Sequence, residues 1–189
     1  MPADAAEAPI PVKIVIAGGF GVGKTTFVGA VSEIPPVRTE ALMTEVSEGI
    51  DDLSLVTGKT TTTVAMDFGR ITIDGKLVLY LFGTPGQDRF WFMWDDIVRG
   101  AVGAVVLVDL RRVDDCFAPI DYFEDRRVPF VVAINSFPGS TVFDDRAVRD
   151  ALALPPDQPL LRTDARDGEL ALTTLIRLVE HALARLSAA

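Results

Sequence analysis

Gly18-Gly19-Phe20-Gly21-Val22-Gly23-Lys24-Thr25 is the stretch on which the fold turns. It matches G-x-x-x-x-G-K-[S/T]. The β-branched run Val12 to Ala17 precedes it and a helical pattern over 24–33 follows, ending before Pro35-Pro36. Strand, loop and helix in that order are the context the pattern requires. Closely spaced small residues let backbone N–H groups converge on phosphate oxygens at the positive end of the helix. Lys24 would pair with the β- and γ-phosphates and Thr25 would offer its hydroxyl to Mg²⁺. An ordinary glycine-rich turn needs neither residue, so the reading is a P-loop nucleotide binder. The loop alone leaves open which chemistry follows.

Working outward, 189 residues with 49% hydrophobic content suffice for one domain with a substantial core. The net charge of -9 argues against nucleic acid and against an anionic lipid surface. Only Lys13, Lys24, Lys59 and Lys76 are lysines, so a phosphate-binding lysine must be among them. Cys116 is the sole cysteine, which fits a reducing compartment. The longest apolar stretch, Ala101 to Val108, falls far short of the roughly 20 residues that span a bilayer. The N-terminus lacks a signal-peptide pattern and the C-terminus a prenylation cysteine. The expectation is a cytoplasmic protein without direct membrane insertion.

Residues 1–11 read as a flexible tail and 12–189 as the domain. Residues 34–62 show no clear period and read as a long loop, a length usually reserved for function or mobility. Asp74-Gly75 between two apolar runs, Val64 to Ile73 and Lys76 to Phe82, predicts an antiparallel hairpin. Val102 to Leu110 and Val128 to Asn135 read as strands buried on both faces, with a short strand near Leu160-Leu161. Helices are expected over 114–126, with Pro119 a complication, and over 144–153 and 169–187. In the last helix Leu172, Leu175, Ile176, Val179, Leu183 and Leu186 share one face, expected to be buried. The fold class is therefore α/β: a mostly parallel six-stranded sheet with one antiparallel edge strand and helices on both faces.

A second motif, Gly83-Thr84-Pro85-Gly86-Gln87-Asp88, follows the strand Leu77 to Phe82. With the phosphate loop and the hairpin it resembles the Asp-x-x-Gly-Gln segment of Ras-like small GTPases. The chain is most similar to bacterial small GTPases related to the gliding-motility polarity GTPase, and among them to the GTP-binding component of actinobacterial conservon operons. The resemblance covers roughly residues 12–187. It implies a GTP/GDP-binding switch with Mg²⁺ and weak, slow GTP hydrolysis. It further implies that Gly21, Val22, Gly23, Lys24, Thr25 and Thr26 wrap the phosphates, that Gly86 gives its N–H to the γ-phosphate, and that Gln87 orients the attacking water. Thr63, after Thr60, Thr61 and Thr62, falls at the switch threonine that closes over Mg²⁺. Asn135 and the loop Asp164, Ala165 and Arg166 match the base-binding motifs, Ala165 through its backbone N–H. A roadblock-type protein dimer and a membrane-associated sensor complex are the implied partners, the latter recruiting the protein to the membrane.

Four departures stand out. Gly83 holds the position of the Mg²⁺-facing aspartate, which points to weaker Mg²⁺ dependence. Asn135-Ser136-Phe137-Pro138 replaces Asn-Lys-x-Asp, so the lysine over the base and the carboxylate that pairs with guanine are missing. Asp144, Asp145 and Asp164 are candidate substitutes. The loop under the base matches its family counterpart only at Ala165. Phe20 puts a ring where many small GTPases keep a small residue. No arginine precedes Thr63, and Arg89, the nearest to Gln87, reads as a solvated helix residue.

Phe90-Trp91-Phe92-Met93-Trp94 then places five large apolar residues all around a helix, and two or three of them suffice for the core. The remainder is expected to dock a protein partner, near Phe90, Trp91, Phe92 and Trp94. His181 reads as a surface residue. Two other functions compete: a non-hydrolysing pseudo-GTPase that only binds partners, and an ATP-binding relative with altered base specificity. A P-loop kinase is disfavoured by the Gly86-Gln87 step and the lack of a recognisable lid.

Overall fold

The computed structural model describes residues 8–35, 37–44, 61–73, 75–86 and 88–187, with 37–44, 61–65 and 88–89 as backbone alone. In chain order the elements are β1 (Ile10–Ala17), α1 (Lys24–Val31), β2 (Val37–Thr44), β3 (Thr61–Ile73), β4 (Leu77–Gly83), a 3₁₀ turn (Asp88–Met93), α2 (Trp94–Val98), β5 (Gly103–Val108), α3 (Asp114–Asp125), β6 (Phe130–Asn135), α4 (Asp145–Ala151), β7 (Leu160–Thr163) and α5 (Gly168–Ser187). They build one sheet of order β2-β3-β4-β1-β5-β6-β7. The pairs β1–β4, β1–β5, β5–β6 and β6–β7 are parallel. β3 runs antiparallel to both β4 and β2.

The α/β class and the mostly parallel sheet are as expected, with two differences in detail. A seventh strand, β2, lies inside the stretch read as a loop, so the antiparallel strand β3 is not the edge. Its sequence, Val-Arg-Thr-Glu-Ala-Leu-Met-Thr, carries no clean alternation because only one neighbour specifies it. β1 also begins at Ile10, inside the expected tail, through a bond from the Ile10 N–H to the Lys76 carbonyl. The hairpin forms as predicted: Gly75 takes φ +65° and the Lys76 N–H bonds the Ile73 carbonyl.

Period-two alternation in the central strands fills two cores. Val15, Ala104, Val106, Val108, Phe130 and Val132 face α2, α3 and α4, which contribute Trp94, Ile97, Ile120, Phe123 and Val148. Ile14, Ile16, Val105, Leu107, Val131 and Ala133 face α1 and α5, which contribute Phe27, Val28, Ala171, Leu175 and Leu178. α3 runs through Pro119, which removes one N–H from its ladder.

The expected face of α5 is wrong by about a quarter turn. Ala171, Thr174, Leu175, Leu178 and Ala182 are buried, whereas Leu172, Ile176, Leu183 and Leu186 are exposed, Leu186 to 73%. Ala171, Leu175 and Leu178 pack into the core under the sheet, and Leu178 seats against Gly103 of β5, where a Cβ would lie 2.9 Å from its Cδ1.

Because β1, β4, β5, β6 and β7 are parallel, the loops after them gather at one edge of the sheet. Phosphate loop, Gly86 segment, Asn135 and residues 164–166 are therefore neighbours. This is the crevice at the carboxyl ends of the strands where open α/β sheets place ligands.

Candidate functional site

The phosphate loop bends through three glycines with positive φ, Gly18 at +136°, Gly21 at +74° and Gly23 at +106°. Gly23 is required twice over: a Cβ there would also lie 2.7 Å from Asn135 Nδ2. Gly23 caps α1 without a side chain, and the first intrahelical bond shown runs from the Phe27 N–H to the Gly23 carbonyl. The N–H groups of Lys24, Thr25 and Thr26 thus belong to the unpaired first turn and point out of the helix end.

Lys24 is buried, and its Nζ donates to the carbonyls of Gly18 and Gly19, each at 2.7 Å. Burial pushes the ammonium down to about 8, and only the nearby Asp67 carboxylate pulls it back up. A phosphate would restore the charge by replacing the lost hydration.

Asp67, on β3, is the site residue that motif reading missed. Its Oδ2 accepts a 2.6 Å hydrogen bond from Thr25 Oγ1. A Cβ built on Gly83 would meet Asp67 Cβ at 3.0 Å and Asp67 Oδ2 at 3.2 Å. A carboxylate from the adjacent antiparallel strand thus fills the space that a side chain at 83 would take. Register could have found it: Phe68 pairs with Phe82, which puts Asp67 beside Gly83. Thr25, Asp67, Thr84 and Gly86 line one cleft of about 370 Å³ with Gly21, Gly23, Lys24 and Thr26. The Thr84 hydroxyl is buried with no hydrogen-bond partner among the described residues. No cluster of three His, Cys, Asp or Glu side chains occurs among those residues. A divalent ion here would therefore share Thr25 and Asp67 with phosphate oxygens and water, the usual environment of Mg²⁺.

Gly86 lies against the phosphate loop: a Cβ there would be 2.7 Å from Lys24 Nζ and 2.9 Å from the Phe20 nitrogen. Gln87 lies outside the described residues, as do the side chains of Thr63 and Arg89. The Thr63 backbone pairs with Leu42 in β3–β2.

At the base-binding end, buried Asn135 joins two loops. Its Nδ2 donates to the Val22 carbonyl at 2.9 Å, and its Oδ1 accepts from the Ala165 N–H at 2.8 Å. The Ala165 N–H, expected to serve the base, is thus engaged by Asn135. Asp164 takes Arg166 in a two-point ion pair, which together with the Arg166 N–H holds its carboxyl at about 2. Asp145 pairs with Arg162 at 2.6 Å, and Asp144 caps α4 through the Arg146 N–H at 2.9 Å. Two of the three candidate substitutes for the guanine-reading aspartate thus lie in ion pairs, and Asp144 serves as a helix cap through one oxygen. The Ser136-Phe137-Pro138 segment is held by Arg111, whose guanidinium stacks 3.7 Å over the Phe137 ring while gripping Asp109.

The aromatic block divides sharply. Trp94 and Phe90 are buried, which corrects their place in the expected docking surface, while Phe92 is 60% exposed and Trp91 half-buried. Trp94 stacks on Trp91 at 4.3 Å and meets Tyr122 edge-on at 5.0 Å. Its indole N–H donates to the Pro85 carbonyl at 3.2 Å. The block begins as a 3₁₀ turn and becomes α-helical only at Trp94, so its side chains do not follow helical spacing. Phe20 is 62% exposed and, with Trp91, Asp114 and Pro119, walls a second cleft of about 460 Å³ behind the phosphate loop. Cys116 is buried, its thiol pushed up to about 11 by desolvation. His181, read as a surface residue, is half-buried, and its Nε2 has no hydrogen-bond partner among the described residues. No helix among the described residues is long and apolar enough to cross a membrane.

Comparison with solved structures returns G domains. The G domain of the T. maritima FeoB iron transporter superposes with a TM-score of 0.64 at 17% identity, over 92% of this chain and 99% of that one. The cytosolic domain of the same transporter in GDP form gives 0.66 at 17% identity, over 93% of this chain and 65% of that one. At this identity the likeness shows the fold alone. Among curated proteins the chain is similar to the uncharacterized protein MJ1339 of Methanocaldococcus jannaschii, with 33% identity over 126 residues, 66% of this chain and 69% of that protein. It is also similar to a Ras and EF-hand domain-containing protein homolog of Caenorhabditis elegans (28% identity, 89% of this chain). The Ras-related protein RABC2a of Arabidopsis thaliana is 29% identical over 53% of this chain. The chain spans 26% and 39% of those last two proteins. These findings make it a nucleotide-binding P-loop protein with a small GTPase fold. The family described as conserved hypothetical ATP binding protein matches residues 16–185, and the chain belongs to that family.

Proposed function

We propose that this protein is a guanine-nucleotide switch that hydrolyses GTP slowly, with Gln87 orienting the attacking water. The observation that carries the reading is the convergence of Lys24, Thr25, Asp67 and Gly86 on one cleft at the sheet edge. Backbone N–H groups and Lys24 bind the phosphates, and Gly86 meets the γ-phosphate. Thr25 and Asp67 would hold Mg²⁺, with Thr63 as the switch threonine, and the ion would neutralise phosphate charge. Gly83 alone points to weak Mg²⁺ coupling; Asp67 reverses that expectation. Loss of the γ-phosphate frees the segments around Thr63 and Gly86 and so changes partner affinity. Single-turnover hydrolysis at high protein concentration, wild type against Gln87→Leu, tests the activity. A measurable rate that falls in the variant is expected; equal, negligible rates favour the non-hydrolysing scaffold.

A second reading, adenine nucleotide, is favoured by one observation: the position of the guanine-reading aspartate holds Pro138, and Asp145 and Asp164 are engaged by Arg162 and Arg166. The family description points the same way. Mass spectrometry of nucleotide released from freshly purified protein separates the two.

The partners follow from the resemblance: a roadblock-type dimer and a membrane-associated sensor complex, in a cytoplasmic signalling assembly recruited to the membrane. Exposed Phe92 and Phe20, with half-buried Trp91, supply the docking surface. Binding to the dimer that survives Phe92→Ala and Trp91→Ala unchanged would remove this proposal.

A further inference from the structure

The peptide unit between Pro85 and Gly86 is gripped from one side only. Its oxygen accepts from the indole N–H of Trp94 at 3.2 Å, inside the aromatic core. Its N–H belongs to Gly86 and has no acceptor among the described residues. A trans peptide is planar and holds C=O and N–H in opposite directions. Fixing the oxygen toward Trp94 therefore fixes the Gly86 N–H away from the core. Pro85 and Gly86 both line the cleft shared with the phosphate loop, and the loop approaches the same glycine, since a Cβ on Gly86 would meet Lys24 Nζ and the Phe20 backbone within 2.9 Å.

Trp94 is itself closely packed. It is 1% exposed, stacked on Trp91, packed edge-on against Tyr122 and tilted against Phe123. Tyr122 is anchored in turn, donating at 2.7 Å to Asp95, which Arg126 also holds at 2.8 Å. The donor is thus built into the α2–α3 packing rather than into the Gly86 loop. We propose that Trp94 is a positioning residue: its indole N–H orients the Pro85–Gly86 peptide so that the Gly86 N–H points at the γ-phosphate, which makes affinity for the triphosphate depend on the aromatic core. The inference rests on the nucleotide-switch reading.

The test replaces Trp94 with 3-benzothienylalanine, which keeps the shape of the ring and loses only the N–H. Affinities for fluorescent GDP and for a fluorescent non-hydrolysable GTP analogue are measured, with the adenine pair in parallel. One neutral hydrogen bond predicts a two- to tenfold, order-of-magnitude ~5-fold, loss of triphosphate affinity in the isostere, with diphosphate affinity unchanged. An isostere with the wild-type ratio, or one that loses both nucleotides equally, overturns the assignment while the switch reading stands. Wild-type protein that binds neither nucleotide pair overturns both.

Discussion

Asparagine at position 67 isolates the charge that this account places beside Thr25. Asp67→Asn keeps an oxygen to accept from Thr25 Oγ1, now 2.6 Å from Oδ2, and so leaves the ligand-free packing intact. What it removes is an anionic oxygen from the Mg²⁺ environment. A hydrogen bond or contact to a charged group contributes about 1.5–3 kcal/mol, which corresponds to about 10- to 150-fold in an equilibrium constant. The Mg²⁺ concentration that half-maximally slows release of fluorescent diphosphate should rise by that factor. A swap sharpens the test. Gly83→Asp alone sets a Cβ 3.0 Å from Asp67 Cβ and a second carboxylate beside the first, so it should destabilise by about 1–3 kcal/mol from overpacking alone. Asp67→Gly combined with Gly83→Asp removes both the clash and the like charge, and should restore Mg²⁺ dependence to within about threefold of wild type, less than one charged contact is worth. If Asp67→Asn releases nucleotide with wild-type Mg²⁺ dependence, or the swap behaves like Asp67→Gly alone, the geometric argument fails.

The remaining predictions concern charge, linkage and packing. Lys24 has a folded-state value lowered to about 8 from 10.5, so the unfolded chain binds the extra proton between those values. Ligand-free stability should therefore rise from pH 8 toward 10.5, and nucleotide binding above pH 8 should take up a proton, seen by calorimetry in buffers of different ionisation heat. Asn135→Ala breaks both buried bonds between the phosphate loop and the Ala165 loop, and should cost about 2–3 kcal/mol in urea unfolding. Leu175→Ala should cost about 2–5 kcal/mol. Leu183→Ala, 58% exposed, should stay within about 0.5 kcal/mol.

Much of the architecture was legible because its signals are local. Glycines, lysine and threonine in one octapeptide mark the phosphate loop, and Asp74-Gly75 marks the hairpin. The α5 face was not legible by periodicity, because Leu172, Ile176 and Leu183 carry the same helical spacing as the residues that pack; the seat that Gly103 leaves for Leu178 lies on a distant strand. Asp67 was hidden for another reason. Its role depends on lying beside Gly83 across two antiparallel strands, and a motif along the chain has no term for a neighbour on the next strand. Trp94 sat in plain view as half of a clustered pair. Its bond to the Pro85 carbonyl joins residues nine apart, a contact that no spacing along one helix discloses.

The central claim is that the phosphate loop, Asp67 and Gly86 form one nucleotide site that reads the γ-phosphate. Isothermal titration of nucleotide-free protein with GDP, a non-hydrolysable GTP analogue and their adenine counterparts, each with and without Mg²⁺, tests it directly. Guanine nucleotides should bind in a Mg²⁺-dependent manner, and the binding should be lost in Lys24→Ala. No heat from any of the four nucleotides, or binding indifferent to Lys24, would contradict it.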